Sequence, residues 1–284
     1  MNTTVAQAIA HITALLTDAD VDSPRLSAQL LAGHVLSLDR LHVELACDRE
    51  LAPGEHARLM ELASRRAQGE LMAHLLGHRE FYGREFAVGP HTLIPRPDTE
   101  TLVDTVLRLF PDTTAPLTFA DLGTGSGCIG ITLACERPCW QGVLLELDRD
   151  ALAVAQRNAH AHGVTERVRC VAGDMFAPPF GDGRLDLVVA NPPYIAGAER
   201  DEVMPEVLRF EPHTALFSAN DGLAHLQACA SQAARLLKPS GAVVLEHGYR
   251  QGSAVRTLLA QHGFVAVSTA CDLGGRERCS YGRH

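Results

Sequence analysis

TFADLGTGSGCIGI, residues 118–131, reads as a strand that ends in a glycine-rich turn and passes straight into a helix. Its glycines let the backbone turn sharply and approach a ligand closely, and the helix that follows offers unpaired N–H groups. Taken alone, the stretch is ambiguous, because GSGCIG matches G-x-G-x-x-G and so admits a dinucleotide-binding oxidoreductase. Outward from it, β-rich runs alternate with helical ones. GVLLELD (142–148) precedes the helical RDALAVAQRNAHAHG (149–163), and VRCVAGD (168–174) and LDLVVANPPY (185–194) follow. A helix ends at ARLLKPSG (234–241), GAVVLEHG (241–248) follows it, and after one more helix come FVAVSTACD (264–272) and ERCSYGR (277–283). Strand and helix in repetition predict an α/β fold, a seven-stranded and mostly parallel sheet covered by helices on both faces.

The first third of the chain has another period. Val5, Ile9, Ile12 and Leu16 recur at helical spacing, as do Leu26, Leu30 and Leu31 after the start signal Ser23-Pro24. GEHARLMELASRRAQG (54–69) gives a further helix with Leu59, Leu62 and Ala63 on one face. Residues 1–75 are therefore expected to form a small helical bundle. Aromatics, glycines and short alternating stretches in HREFYGREFAVGPHTLIPRP (78–97) predict a hairpin, so that 76–98 is a connector and 99–284 the α/β domain.

Composition narrows the function. With 284 residues, 46% hydrophobic and 21% charged, the chain describes an ordinary soluble protein, and no apolar run approaches the ~20 residues that span a bilayer. Its start lacks a basic region followed by an apolar core, so a cytoplasmic protein without a membrane partner is expected. A net charge of −9 is a poor footprint for gripping duplex nucleic acid, and no direct nucleic-acid contact is expected. The eight cysteines never form C-x-x-C, and CERPC (135–139) and AHAH (159–162) stand isolated, which predicts reduced thiols and no metal site.

In parallel sheets ligands bind beyond the carboxyl ends of the strands. The first such end supplies Asp121, Gly123, Thr124, Gly125, Ser126 and Gly127. Asp148, at the second, can accept both hydroxyls of a ribose or, alternatively, cap the next helix. The third offers Asp174 to an exocyclic amine and Met175 as an apolar wall for a flat base. The fourth is Asn191-Pro192-Pro193-Tyr194. These four ends, in this order, resemble the S-adenosylmethionine-dependent methyltransferases that modify amide or aromatic amine nitrogens. An amide nitrogen is a poor nucleophile because its lone pair is delocalised into the carbonyl. Asn191 can accept one N–H of a substrate NH2 and a prolyl carbonyl the other, while the two prolines stiffen the loop and Tyr194 stacks on the planar amide.

At finer grain the chain resembles the peptide-chain release-factor glutamine N5-methyltransferases, the PrmC/HemK family, over nearly its whole length. EFYGREFAV, LIPRPDTETLV, FADLGTGSGCIGI, LDLVVANPPYI, RFEPHTALFSANDGLAHL, LLKPSGAVVLEHGYRQ and DLGGRER carry the likeness. It implies a Rossmann-like methyltransferase sheet, S-adenosylmethionine as cofactor and class 1 release factors as partners. It also implies that the bundle helps hold the release factor. By the family pattern Gly123 to Gly127 and Asp148 hold the cofactor, Asn191 to Tyr194 hold the glutamine of a Gly-Gly-Gln motif, and Asn191 borders both ligands. A sister branch methylates a ribosomal-protein glutamine but usually reads PRSP where this chain has IPRPDTE (94–100). A nucleic-acid amino-methyltransferase is a further alternative, without a visible target-recognition unit or basic face.

Overall fold

Thr4 opens the first helix with a reciprocal cap, in which its side chain accepts from Gln7 N–H and the Gln7 side chain accepts from Thr4 N–H. The computed structural model describes residues 3–284. Its first unit contains α1 (Val5–Asp18), α2 (Pro24–Leu36), α3 (Arg40–Leu45), α4 (Pro53–Ala67) and α5 (Met72–Leu76). Val5, Ala8, Ile12 and Leu16 of α1 pack with Leu31, Val43, Leu59 and Leu62 in one core. Of the apolar residues expected along α2, Leu31 is buried, Leu30 half-buried and Leu26 exposed, and Ser27, Ala28, Ala32 and Gly33 complete the buried face. Close packing is the reason, since a Cβ on Gly33 would lie 2.6 Å from Leu38 O. Small residues, which carry little hydrophobic signal, therefore face inward here.

A hairpin follows, β1 (His78–Phe81) and β2 (Arg84–Ala87), turned at Tyr82 and Gly83, both with positive φ. The strands occupy only the first half of 78–97; the remainder runs as a loop into α6 (Glu100–Leu109). The second unit continues with β3 (Leu117–Leu122), α7 (Cys128–Glu136), β4 (Trp140–Glu146), α8 (Arg149–Ala161), β5 (Val168–Ala172) and β6 (Leu185–Ala190). The short β7 (Ile195–Ala196) comes next, then α9 (Pro205–Phe210), then the short β8 (Phe217–Ser218). The chain closes with α10 (Ala224–Leu236), β9 (Leu237–Glu246), α11 (Gly252–Gln261), β10 (Val265–Cys271) and β11 (Glu277–Arg283).

The helix α9 does not belong to the second unit. It groups with the bundle, where Arg66 Nη1 donates to Glu70 O (2.8 Å) and Glu206 (3.2 Å), and Arg209 Nη1 donates to Gln68 O (2.9 Å). The first unit is thus discontinuous in sequence, which no local pattern in 1–75 signals.

The seven-stranded sheet has the order β10-β11-β9-β6-β3-β4-β5, parallel except for β11, which runs antiparallel to β9 and β10. Both faces are buried. Phe119, Leu144, Leu187 and Val244 enter one core, and Ala120, Leu145, Val188 and Val243 the other. After β3 the chain builds outward through β4 and β5, then returns to place β6 on the other side of β3. That reversal opens a crevice at the ends of β3 and β6. Among the described residues no helix is long and apolar enough to cross a membrane.

Candidate functional site

A cavity of about 370 Å³ lies at that crevice, lined by Gly123–Ser126, Glu146–Asp148, Gly173–Phe176, Asn191 and Pro193, with Thr99, Cys128 and His225 among its other walls. The turn after β3 is built around three glycines with φ of +75° at Gly123, +57° at Gly125 and +84° at Gly127. At Gly123 the positive φ disfavours a side chain, and the terminal methyl of Met175 fills the space a Cβ would take. The N–H groups of Gly123 and Thr124 both donate to Leu145 O at 2.9 Å, which ties the turn to the end of β4.

Asp121 does not line the cavity. It is fully buried behind the turn, where Oδ2 accepts from Thr124 Oγ1 (2.6 Å) and Gly130 N (3.1 Å). Oδ1 has no partner among the described residues, and burial pushes the carboxyl up to about 6. Asp121 thus shapes the loop that Thr124, Gly125 and Ser126 present to the cavity.

At the second strand end the expected roles divide differently. Asp148 caps α8, its Oδ1 accepting from Asp150 N (2.8 Å) and Ala151 N (3.0 Å). The last residue of β4 is Glu146, and it is Glu146 that reaches across to the glycine turn. Its Oε2 accepts from Gly125 N (2.8 Å), and its Oε1 from Leu147 N (2.8 Å) and Asp148 N (3.1 Å). Sequence reasoning passed over this residue, although the strand-end rule applied to it as well. At the third end Asp174 is exposed and accepts from Phe176 N (2.9 Å). Met175 covers Gly123, and the ring of Phe176 meets His225 edge to face at 5.1 Å, so Phe176 is a second wall that the sequence reading left out.

The fourth end is divided too. Asn191 and Pro193 line the cavity, whereas Pro192 and Tyr194 do not. Burial raises the Tyr194 pKa further above the usual phenol value, with the Glu246 carboxylate adding to the rise and the Arg278 and Arg96 charges opposing it. The Tyr194 backbone carbonyl is taken by Gln251 Nε2 at 2.9 Å. Through that carbonyl Tyr194 ties the loop to Gln251. The quoted family stretches converge on the same place: Arg278 of DLGGRER pairs with Asp98 (3.0 Å) and Asp272 (2.9 Å), and Glu211 of RFEP accepts from Ile94 N (2.8 Å) and from Arg96. Asn191 Nδ2 donates to Thr99 Oγ1 at 3.3 Å.

One grouping bears on metals: His91, Asp148 and Asp150 place ligand atoms within 4.8 Å of one another, all three exposed. The Asp148 carboxylate is already engaged in capping α8.

Residues 99–216 match the family described as Methyltransferase small domain, and residues 7–77 the PrmC N-terminal domain. A release factor glutamine methyltransferase of Bordetella pertussis is 46% identical over 265 residues, 93% of this chain and 96% of that protein. Another, from Nitratidesulfovibrio vulgaris, is 41% identical over 275 residues, 96% of this chain and 92% of that protein. In fold the chain is similar to a methyltransferase from Pyrococcus furiosus (TM-score 0.52, 16% identity, covering 78% of this chain and 96% of that one). S-adenosylmethionine is the methyl donor of such enzymes, and the cavity suits it. The side-chain-free backbone at Gly125 allows close approach, and Met175 and Phe176 give an apolar wall. Sequence, fold and cavity agree, and the chain belongs to the release factor glutamine methyltransferase family, as an S-adenosylmethionine-dependent enzyme.

Proposed function

We propose that this protein methylates the side-chain amide nitrogen of the glutamine in the Gly-Gly-Gln motif of class 1 peptide-chain release factors. The observation that carries the reading is Asn191 at the end of β6, in the wall of the cavity that the glycine turn also lines. When bound, S-adenosylmethionine supplies an electrophilic methyl group. The protein's task is then alignment, which can be worth up to ~7–11 kcal/mol.

Asn191 accepts one substrate N–H through Oδ1, and a carbonyl of the Pro192-Pro193 segment accepts the other. These two acceptors aim the nitrogen's remaining electron density at the methyl group. The prolines hold the loop in place before the substrate arrives. Glu146 accepts the ribose hydroxyls from its strand-end position, Asp174 meets the adenine amine, and Met175 and Phe176 cover the base. The bundle contributes a contact to the release factor remote from the glutamine. The names of the Bordetella pertussis and Nitratidesulfovibrio vulgaris relatives support the substrate, and the IPRPDTE stretch favours the release-factor branch over the ribosomal-protein one.

The test is mass spectrometry of glutamine-containing peptides after incubation of candidate proteins with the enzyme and isotopically labelled S-adenosylmethionine. Label on the Gly-Gly-Gln glutamine of a release factor is expected. Label on a ribosomal protein or a nucleic acid, with release factors unmodified, would overturn the assignment.

A further inference from the structure

An asparagine can serve as an acceptor toward the substrate only if its amide is held one way round, because a flip exchanges O and N with almost no change of shape. The group that sets the direction lies behind it. Asn191 Nδ2 donates to Thr99 Oγ1. Strands β6 and β9 are parallel neighbours whose last register pair is Ala190 with Leu245, so Asn191 and Glu246 follow side by side at the strand ends, and both the Thr99 hydroxyl and the Asn191 amide favour the charged form of the Glu246 carboxylate. Glu246 ends β9, is 1% exposed, and has an Oε2 without a partner among the described residues. An ionised carboxylate can only accept. A Thr99 hydroxyl turned to that carboxylate gives it its one proton and can offer Asn191 only lone pairs. The Asn191 NH2 turns toward Thr99 and Glu246, and Oδ1 is left for the cavity.

We propose that Glu246 is a positioning residue for methyl transfer: acting directly and through Thr99, its carboxylate fixes the Asn191 amide with the carbonyl oxygen toward the substrate. The proposal rests on the acceptor role given to Asn191 above.

The charge state of Glu246 sets the sense of the relay. Burial is the main influence and pushes its carboxyl up to about 7, against the opposing pull of Thr99, Arg278 and Asn191, while Asp98 raises it. The Tyr194 hydroxyl and the Cys128 and Cys279 thiols also feel its charge. Above about 7 the ionised group accepts and the relay points as described. Below it, the protonated carboxyl can donate to Thr99 and release Asn191 to turn. Turnover should therefore rise with pH through neutrality.

The experiment uses the full chain, an intact release factor and labelled S-adenosylmethionine, comparing wild type with Glu246→Gln, Thr99→Val and Thr99→Ser. Glutamine is nearly isosteric with glutamate but can donate as well as accept. Glu246→Gln should lower kcat by about tenfold or more, leave KM and cofactor affinity within about twofold, and abolish the rise with pH. Thr99→Val should lower kcat likewise, and Thr99→Ser should restore it by returning the hydroxyl. Cofactor titration reports whether each variant is folded. A folded Glu246→Gln enzyme with wild-type kcat and pH profile overturns the proposal. Should that variant not fold, equal kcat for Thr99→Val and Thr99→Ser overturns it. Wild-type enzyme that leaves release-factor glutamine unmodified overturns the parent reading and this one with it, whereas an active wild type with unaffected variants sinks this one alone.

Discussion

Glu146 and Asp148 are two positions apart, so in a strand they would point the same way, and the letters E-L-D-R-D do not say where the strand stops. The geometry separates them: Glu146 is bonded to the glycine turn and Asp148 to the first turn of α8. Asp148→Ala should therefore cost about 1 kcal/mol of stability, as loss of a helix cap does, with cofactor affinity nearly unchanged. Glu146→Ala should weaken cofactor binding by about tenfold or more, through lost charge-assisted bonds and a loosened Gly125. Calorimetric titration and thermal unfolding of both variants separate these outcomes, and a larger affinity loss for Asp148→Ala would reverse the two roles. Asp121 adds a pH dependence. Its folded-state value, about 6, lies above the ordinary 3.8, so protonation favours the folded form. Its contribution to stability is full below about 4 and is lost as pH rises through about 6. The melting temperature of Asp121→Asn relative to wild type should consequently rise between those limits, and a constant difference would show that Asp121 does not titrate there. The neutral residue loses the penalty of ionising in a buried place. None of this was legible in the sequence, where Asp121 reads as one more acid beside a glycine turn.

Elements were read more easily than residues because each parallel strand of the seven-stranded sheet is a short apolar run with Gly, Asp or Pro within two residues of its end, which locates the strand ends to within a residue or two. What escaped was packing between elements. The strand expected to start at Gly142 begins at Trp140, whose ring contacts Phe119 and Phe110 at centroid distances of 6.2 and 5.8 Å. Gly142 then falls inside the strand, directly opposite Phe119 in the parallel pair. A Cβ there would lie 2.3 Å from the Phe119 ring, so the glycine makes room for an aromatic side chain of the neighbouring strand. Gly142→Ala should cost about 1–3 kcal/mol by overpacking. Phe119→Leu, destabilising alone, should offset part of that loss, so the double variant should be more stable than the sum of the single changes implies. Urea unfolding of the four proteins measures the coupling, and strict additivity would mean that the ring is not what Gly142 accommodates. Small residues also hid the buried face of α2: Ala28 and Ala32 carry the contact there, while Leu26, the stronger hydrophobic signal, faces solvent.

At the scale of the molecule, the chain leaves the methyltransferase unit after Met204, contributes α9 to the bundle and returns at Glu211. A six-residue helix 130 or more positions from its partners has no local signature, so sequence periodicity alone could not include it in the first unit. Deleting the first 75 residues would remove Arg66 and Gln68, which hold Glu206 and Arg209 of α9, and would confound a test of substrate recognition. The intact enzyme provides a cleaner one. A flexible Gly-Gly-Gln peptide loses conformational entropy on entering the cavity and has little surface with which to offset that loss. A folded release factor can add the remote contact assigned to the bundle. Full-length enzyme should then show kcat/KM about 100-fold or more higher for intact release factor than for the peptide. A release factor carrying Gly-Gly-Ala should still compete, with an inhibition constant near the KM of the intact substrate, because the remote contact survives the loss of the glutamine. The short peptide with the same change should not compete. If peptide and protein are methylated equally well, or the altered release factor fails to inhibit, the glutamine loop carries recognition by itself and the bundle has no part in it.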